Sequence, residues 1–337
     1  MLYRYRLKPL SSLITPVMSD TMFGHFCWSI RYQDGVESLE RFLKEYDADS
    51  PAPVLFSSAF LSGYIPKPTL PHLGREQALG LVKRYFGKDK ASIFKGLSKI
   101  KSWNKRRLIK IEHWKVLKDS YDDEALYGLL QNENIDEEGK QITELSSHNV
   151  ISREMGTVPS EGGGLFTREK IWYDSEISLD IYVLINDSAM ETRVDNFLTQ
   201  YLPQNGFGAD KSLGMGAFDI FRDEGFEPGD FKVASANAVM SLSLTAFPDM
   251  GNYRAFYRLK TKFGRLGGSF SVSSPTGGDT KPFKKPVLMY EEGAVFIGHQ
   301  SLDTMPLLSG VHSDTRIRHC GVPVTLPLSI REDLCHV

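Results

Sequence analysis

The 337-residue chain has few of the features that mark several common classes of protein. Its three cysteines, Cys27, Cys320 and Cys335, are scattered and form no Cys-x-x-Cys pair, so the sequence indicates neither a zinc knuckle nor a disulfide framework. No apolar run approaches the roughly 20 residues that span a bilayer. The N-terminal segment alternates in polarity and lacks the apolar core of a signal peptide. We therefore expect a cytoplasmic protein with free thiols.

A large net charge and a catalytic set are also missing. The formal net charge is −2, so a nucleic-acid-binding surface would have to concentrate its basic residues locally. No cluster of His, Asp and Glu has the spacing of metal ligands, and no nucleophile motif such as Gly-x-Ser-x-Gly occurs. We expect no metal, no cofactor and no small-molecule substrate. These gaps favour a binding protein over an enzyme.

Hydrophobic patterns predict a regular order of strands and helices in the first two thirds of the chain. The alternation in Leu2–Lys8 predicts a strand with one apolar and one basic face. The same reading predicts helices at Met22–Tyr32 and Ala189–Leu202, and strands at Val54–Phe60, Ile177–Ile185 and Ala217–Phe221. The order β-α-β-β-α-β is that of a ferredoxin-like domain, and it predicts an α+β fold. We assign this domain to residues 1–224 and a second α+β domain, richer in strands, to residues 225–337.

Two oppositely charged blocks interrupt this order. Residues 83–118 hold 13 lysines and arginines against two acids, whereas residues 119–145 hold nine acids against one lysine. We interpret residues 72–145 as an insert with a mostly helical basic part and an exposed acidic part. Blocks of this kind are usually solvated faces, and a surface directed at a partner is the alternative.

A protruding β-hairpin is predicted after the insert, at about residues 146–170. Its arms are His148–Arg153 and Leu165–Arg168, which flank the glycine-rich tip Gly162–Gly164. Two short extended arms joined by such a tip are typical of a hairpin.

The run Gly206–Phe218 is the most informative stretch. Its only charges are the adjacent Asp210 and Lys211. Glycines let a backbone approach a ligand closely and direct several N–H groups at one anion. The run lacks the Walker A pattern, and it follows a helix instead of a strand, which excludes a dinucleotide fingerprint. We predict a phosphate-contact loop, with a purely structural turn as the alternative. Its contact residues are Gly206, Gly208, Lys211, Ser212, Gly214 and Gly216.

Two further segments offer sites for an anion. Ser19, Asp20 and Thr21 lie where the first helix begins, and a helix N-terminus favours phosphate, although ordinary capping is the alternative. His25, one turn further, is a candidate general base or, more commonly, a packed residue.

A strand-like segment near residue 258 interleaves aromatic and basic residues. Its cations Arg254, Arg258 and Lys262 alternate with aromatic side chains, which suits single-stranded nucleic acid. A core-facing aromatic strand with a solvated basic face is the alternative.

Taken together, these segments resemble the RAMP-type subunits numbered four in type III-A CRISPR (Csm) interference complexes. The resemblance rests on five motifs in the family's order: residues 19–28, Gly63–Pro68, His148–Arg153, Gly206–Phe218 and Lys281–Pro286. It implies tandem ferredoxin-like (RRM-like) domains, in which the hairpin, called the thumb, wedges against the guide RNA.

The same resemblance implies a function and a set of contact residues. Proteins of this type bind the 5′ handle of the CRISPR RNA and cap the guide in antiviral defence. They join the large polymerase-like signature subunit to backbone RAMP subunit three, and they are generally not nucleases. The implied RNA-binding residues are Ser19, Asp20, Thr21, His25, Lys67, Asn149, Ile151 and Arg153, together with the glycine-rich loop. At Ser152, the family pattern leads us to expect an aspartate.

Two other functions remain open at this stage. The first is a metal-independent, repeat-cleaving endoribonuclease of the RAMP fold that uses His25 as general base. Such enzymes usually carry the glycine-rich loop close to the C-terminus, whereas here more than a hundred residues follow it. The second is a scaffold that contacts only proteins.

Overall fold

The computed structural model describes residues 1–47, 50–131, 141–149, 151, 157–158, 164–247, 254–271, 282–298 and 301–336. Helices and several antiparallel sheets make up this part of the chain, which confirms the α+β class. Within it, every helix is too short or too polar to cross a membrane.

The strands and the helices are each numbered in the order in which they occur along the chain. The strands are β1 (Leu2–Pro9), β2 (Val54–Phe56), β3 (Phe60–Leu61), β4 (Tyr64–Pro66), β5 (Leu108–Lys110), β6 (Gln141–Asn149), β7 (Leu165–Tyr173), β8 (Leu179–Ile185), β9 (Phe218–Arg222), β10 (Ala238–Ser241), β11 (Arg254–Phe256), β12 (Leu259–Lys262), β13 (Val287–Tyr290), β14 (Val295–Ile297) and β15 (Thr325–Leu328). The helices are α1 (Ser19–Asp34), α2 (Val36–Lys44), α3 (Arg75–Tyr85), α4 (Lys90–Lys105), α5 (Ile111–Leu117), α6 (Asp123–Leu130), α7 (Glu191–Asn196) and α8 (Leu202–Asn205). A π-helical turn, Phe197–Tyr201, joins α7 to α8.

The first sheet has the strand order β2-β8-β1-β9, with β3 also paired to β8, and all these pairs are antiparallel. The alternation read from the sequence accounts for the central strand β1. Tyr5 and Leu7 are fully buried, whereas Arg4 and Arg6 on the opposite face form ion pairs with Asp223. Helix α1 contributes buried apolar side chains to the same core, among them Met22, Phe26 and Ile30.

The second sheet has the order β11-β14-β10-β15, and its pairs are also antiparallel. Strand β10 is buried along its whole length because it lies between β14 and β15. Strands β12 and β13 form a separate two-stranded ribbon.

A buried polar seam connects the two sheets, and we define it by Ser19, Ser58 and Ser243. The hydroxyl of Ser19 accepts a hydrogen bond from the Leu244 N–H at 3.0 Å. The Ser58 N–H donates to the Leu242 carbonyl at 3.0 Å, and the Ser243 hydroxyl donates to the Phe56 carbonyl at 2.9 Å. One apolar core runs through both halves beside this seam.

Helices α3–α6 form the insert, and its basic part is helical as predicted. The prediction of an exposed acidic part is wrong for its first residues. Asp123 is buried, and Tyr127 and Leu130 of the same helix α6 lie in the core, because this helix packs against the other helices of the insert, where the Tyr127 ring stacks on Trp103 of α4. Residues 132–140 lie outside the described part.

The predicted hairpin corresponds to β6 and β7, which pair antiparallel from Gln141↔Tyr173 to Asn149↔Leu165. Its second arm is longer than predicted, and its first arm begins earlier. Both arms are largely exposed, and a backbone bridge between Leu13 and Ile171 attaches the hairpin to the segment that follows β1.

Candidate functional site

The glycine-rich loop has a positive φ at several positions along its length. Asp210 has a φ of 56°, and among the described residues it is the one non-glycine residue with a positive φ. Four glycines share this conformation: Gly206, Gly208, Gly214 and Gly216. These residues fold the loop back on itself between α8 and β9.

Gly216 is the position where glycine is indispensable. Its N–H donates to the Ser12 carbonyl and its carbonyl accepts from the Phe207 N–H, both at 2.9 Å. A Cβ atom on Gly216 would lie 2.0 Å from the Phe207 carbonyl oxygen. The two ends of the loop are therefore held together by a backbone contact that no side chain can enter.

His25 on α1 holds the loop from beneath. Its Nε2 accepts a hydrogen bond from the Gly208 N–H at 3.0 Å, and its ring stacks on Phe207 with 4.7 Å between centroids. Desolvation, with a smaller effect of the Lys211 charge, lowers the pKa of His25 to about 4. The ring is thus neutral near pH 7, and because Nε2 is an acceptor its proton lies on Nδ1.

Two further contacts hold the loop from the side. The Thr15 hydroxyl accepts a hydrogen bond from the Ala209 N–H at 3.1 Å. Arg168 of β7 forms an ion pair with Asp210, and its guanidinium lies 5.3 Å from the centre of the Phe166 ring. The hairpin and the loop are therefore directly connected.

The tip of the loop faces solvent. Lys211, Ser212 and Gly214 are exposed, and within the described part of the chain no hydrogen bond or ion pair holds the side chain of Lys211 or Ser212. A cation and a hydroxyl are thus presented on an anchored backbone, an arrangement that suits an anion.

The start of α1 differs from its prediction. The N-cap is Met18, and the predicted cap residues lie inside the helix. Ser19 serves the seam, and the Asp20 carboxylate is buried 3.0 Å from Lys262 Nζ and 3.8 Å from His319 Nε2. Thr21 also contacts Lys262, whose Nζ donates to its hydroxyl at 3.2 Å.

The other predicted cations are engaged within the protein. Lys67 is buried and pairs with Asp123 at 3.0 Å, so its ammonium is not exposed to a ligand as the prediction required. Arg258 pairs with Glu291 at 3.2 Å, and Arg254 donates to the Cys335 carbonyl at 2.7 Å. These contacts follow from long-range packing, which no local pattern reveals.

The predicted thumb residues are only partly described. Asn149 ends β6 and is exposed, as is Ile151, whereas Arg153 lies outside the described residues. Sequence reasoning missed Arg168 and Thr15 as anchors of the loop. The sequence signal for Arg168 was that Asp210 is the sole acid in the loop, so that a cation on a nearby strand would be expected to pair with it. Nothing in the sequence marked Thr15.

In the described part, no three His, Cys, Asp or Glu side chains lie close enough together to hold a metal ion.

Neither a family model nor a curated protein matches the sequence. Several solved structures, in contrast, are similar to this chain. A chain in the crystal structure of the Csm3-Csm4 subcomplex of the type III-A CRISPR-Cas interference complex is 12% identical with a TM-score of 0.57, covering 97% of this chain and 99% of that one. Chains in the Csm1-Csm4 cassette with pppApA and with cA4 are 14% and 15% identical with TM-scores of 0.52 and 0.53, covering 98% of this chain and 100% of theirs.

Csm4 is the protein common to these assemblies. The chain has a Csm4-like fold. The resemblance read from the sequence motifs is thereby confirmed at the level of fold, over almost the whole length of both chains.

We expect Gly216→Ala to destabilise the protein far more than Gly214→Ala. Both substitutions place alanine at a positive φ, which costs about 1–2 kcal/mol. Only Gly216→Ala adds a clash with the Phe207 carbonyl, since nothing lies within 4 Å of a Cβ on Gly214. We expect a total loss of about 3 kcal/mol or more in urea unfolding for Gly216→Ala. Equal losses for the two variants would contradict the close approach.

We expect the protein to lose stability as the pH falls from about 6.5 toward 4. Burial lowers the pKa values of His25 and His319 to about 4 from the ordinary histidine value of 6.5, so the unfolded chain takes up protons in this window that the folded chain does not. Their contribution is complete above pH 6.5 and is lost through this range. Thermal melts at several pH values would show a shallower dependence for His25→Gln and His319→Gln than for the exposed His72→Gln control. An unchanged slope in both variants contradicts this.

Proposed function

We propose that the chain is a non-catalytic subunit of a type III-A CRISPR effector complex and that it binds the 5′ handle of the guide RNA. The observation that carries this proposal is the exposed, firmly anchored tip of the glycine-rich loop in a chain with a Csm4-like fold. Neither feature suffices alone, because one fold can host many functions and a loop that binds anions can accept many ligands.

Both sheets support a tandem ferredoxin-like architecture. In each four-strand order, the first strand lies between the third and the fourth, and neighbours are antiparallel. Among the residues that the structure describes, only the first sheet carries the two helical segments of the β-α-β-β-α-β order, α1 and α7–α8. We propose two ferredoxin-like domains with a boundary near residue 224, and we assign the β6–β7 hairpin as the thumb.

The loop tip would bind the RNA backbone. Lys211 supplies a positive charge and Ser212 a hydroxyl donor, while the exposed Gly214 lets a phosphate approach the main chain because nothing lies within 4 Å of its Cβ position. The N–H groups of Gly206, Gly208 and Gly216 already donate inside the protein, so we assign these three glycines to the support of the loop. Because His25, Thr15 and Arg168 already hold the loop, little conformational entropy is lost on binding.

The thumb would contact the guide beside the handle. Asn149 and Ile151 lie exposed at its far end, and we retain Arg153 there as an expectation. The ion pair between Arg168 and Asp210 supports this arrangement, because it fixes the middle of the β6–β7 hairpin relative to the loop.

The buried residues near α1 would act by positioning. The Ser19 hydroxyl accepts the Leu244 N–H, and Asp20 forms an ion pair with Lys262. These internal contacts hold α1 in place under the loop. Thr21 and His25 belong to the same support, and Lys67, Arg254 and Arg258 stabilise neighbouring elements.

The partners follow from the assemblies that contain the similar chains. Csm4 occurs with Csm1 in the cassettes and with Csm3 in the subcomplex. We propose that this chain likewise joins a large signature subunit to a backbone RAMP subunit, in the cytoplasm.

The role of His25 supports a function without catalysis. A general base needs a free lone pair at a poised pKa, whereas Nε2 of His25 already accepts the Gly208 N–H. We expect no cleavage when the full chain is incubated with repeat RNA in the absence of metal ions. A specific cut that disappears in His25→Ala but persists in His72→Ala would refute the non-catalytic assignment.

We expect Lys211→Ala/Ser212→Ala to bind guide RNA about tenfold more weakly than wild type, since a hydrogen bond to a charged group contributes roughly 1.5–3 kcal/mol. The tagged chain would be purified from its host, its bound RNA sequenced and its partners identified. Short RNAs with a common repeat-derived 5′ end are the expected cargo, at lower yield for the variant. Lys44→Ala on the exposed side of α2 is the control. Unchanged RNA yield and affinity in the loop variant would refute the proposed role of the loop. Wild-type protein that carries no such RNAs would refute the proposed function.

A further inference from the structure

The β12–β13 ribbon presents its two faces to different surroundings. Because side chains alternate along a strand, even-numbered and odd-numbered residues of β12 point in opposite directions. Arg258, directly before β12, pairs with Glu291, and Lys262 pairs with Asp20, so these two cations face the protein. Two of the three cations that the sequence indicated for nucleic acid are therefore turned inward, whereas Arg254 is exposed and donates to the Cys335 carbonyl.

Two exposed rings lie beyond the paired strands, where the chain leaves β12 and approaches β13. Phe263 is 73% exposed and Phe283 is 57% exposed, although large apolar side chains are normally covered. Arg265 lies opposite Phe283 in a backbone bridge, and its guanidinium is 5.7 Å from the centre of the Phe283 ring. Lys285, next to this pair along the chain, is also exposed.

The ribbon and its flanking segments contain basic residues and no acidic residues. Residues 254–271 and 282–290 contain five and two basic residues and no aspartate or glutamate. Arg258 and Lys262 are paired with Glu291 and Asp20, whereas Arg265 and Lys285 remain as exposed charges at this end of the ribbon. An anionic ligand is the electrostatic complement of such a face.

We propose that Phe263, Phe283, Arg265 and Lys285, together called the ribbon face, form a stacking platform for the bases of single-stranded RNA. The inference rests on the proposed function and deepens it by adding an RNA contact on a second element. Exposed rings beside cations are the components of single-strand binding surfaces, where bases stack on the rings and phosphates meet the cations. A protein partner is the rival ligand, and it would rely equally on the neighbouring exposed Leu259 and Leu288.

Two matched double variants distinguish these ligands. Phe263→Ala/Phe283→Ala removes the rings, whereas Leu259→Ala/Leu288→Ala removes exposed aliphatic side chains from the same ribbon. The probe is a labelled oligouridine of about 16 nucleotides, because stacking platforms tolerate any base. Fluorescence anisotropy with the full chain is expected to show binding at least about tenfold weaker for the ring variant and within about twofold of wild type for the leucine variant. Arg265→Ala is expected to reduce the salt dependence by about 0.7 in the log–log slope.

The outcomes separate this inference from the proposed function. Wild-type affinity in the ring variant, or equal weakening in both double variants, overturns the stacking platform. A chain that co-purifies with guide RNA but does not bind oligouridine overturns the platform alone. A chain that binds oligouridine through the rings but carries no guide RNA supports the platform and refutes the guide-handle function.

Ultraviolet crosslinking of the wild-type chain to oligouridine gives a second measurement that needs no variant. Mass spectrometry is expected to find uridine on peptides that contain Phe263 or Phe283. Crosslinks confined to other peptides would overturn the proposal.

Discussion

The buried polar seam between the two sheets is the constraint on which the rest of the structure depends. A hydroxyl removed from water costs about 1–3 kcal/mol unless it finds a partner, so the seam serines are stable only in the relative position that pairs them. Ser19 and Ser58 also pair with each other, through the Ser19 N–H and the Ser58 hydroxyl at 3.1 Å. The first turn of α1 is thereby locked against the second sheet, and the Asp20–Lys262 pair reinforces the same position.

From this point the constraint extends to the surface that we assign to RNA. His25 lies on the helix that the seam positions, and it supports Gly208 of the loop. The loop in turn holds the hairpin through Asp210 and Arg168. The exposed tip at Lys211 and Ser212 therefore stands on a continuous chain of contacts that begins in the core. Rigid support of this kind reduces the entropy that binding must overcome.

The sequence predicted much of the fold because strands and helices leave periodic patterns. Alternation in β1 and helical spacing in α1 reflect burial on one face, and the glycines at 206–216 reflect a backbone that needs positive φ. The same local reasoning misjudged individual side chains. Lys67 was predicted to bind RNA and Asp123 to lie in an exposed acidic segment, but these residues, 56 positions apart, form an ion pair in the interior.

The sequence by itself determined the α+β class, the order of the main strands and helices, and the place of the glycine-rich loop, because each depends on neighbouring residues. Only the tertiary structure decided which polar side chains remain available to a ligand. Lys211 stays exposed while the half-buried Lys262 pairs with the buried carboxylate of Asp20, and no local property of either lysine distinguishes them. The difference arises because a charge is buried only where distant parts of the chain supply its partner, and that pairing exists only after the two sheets have packed.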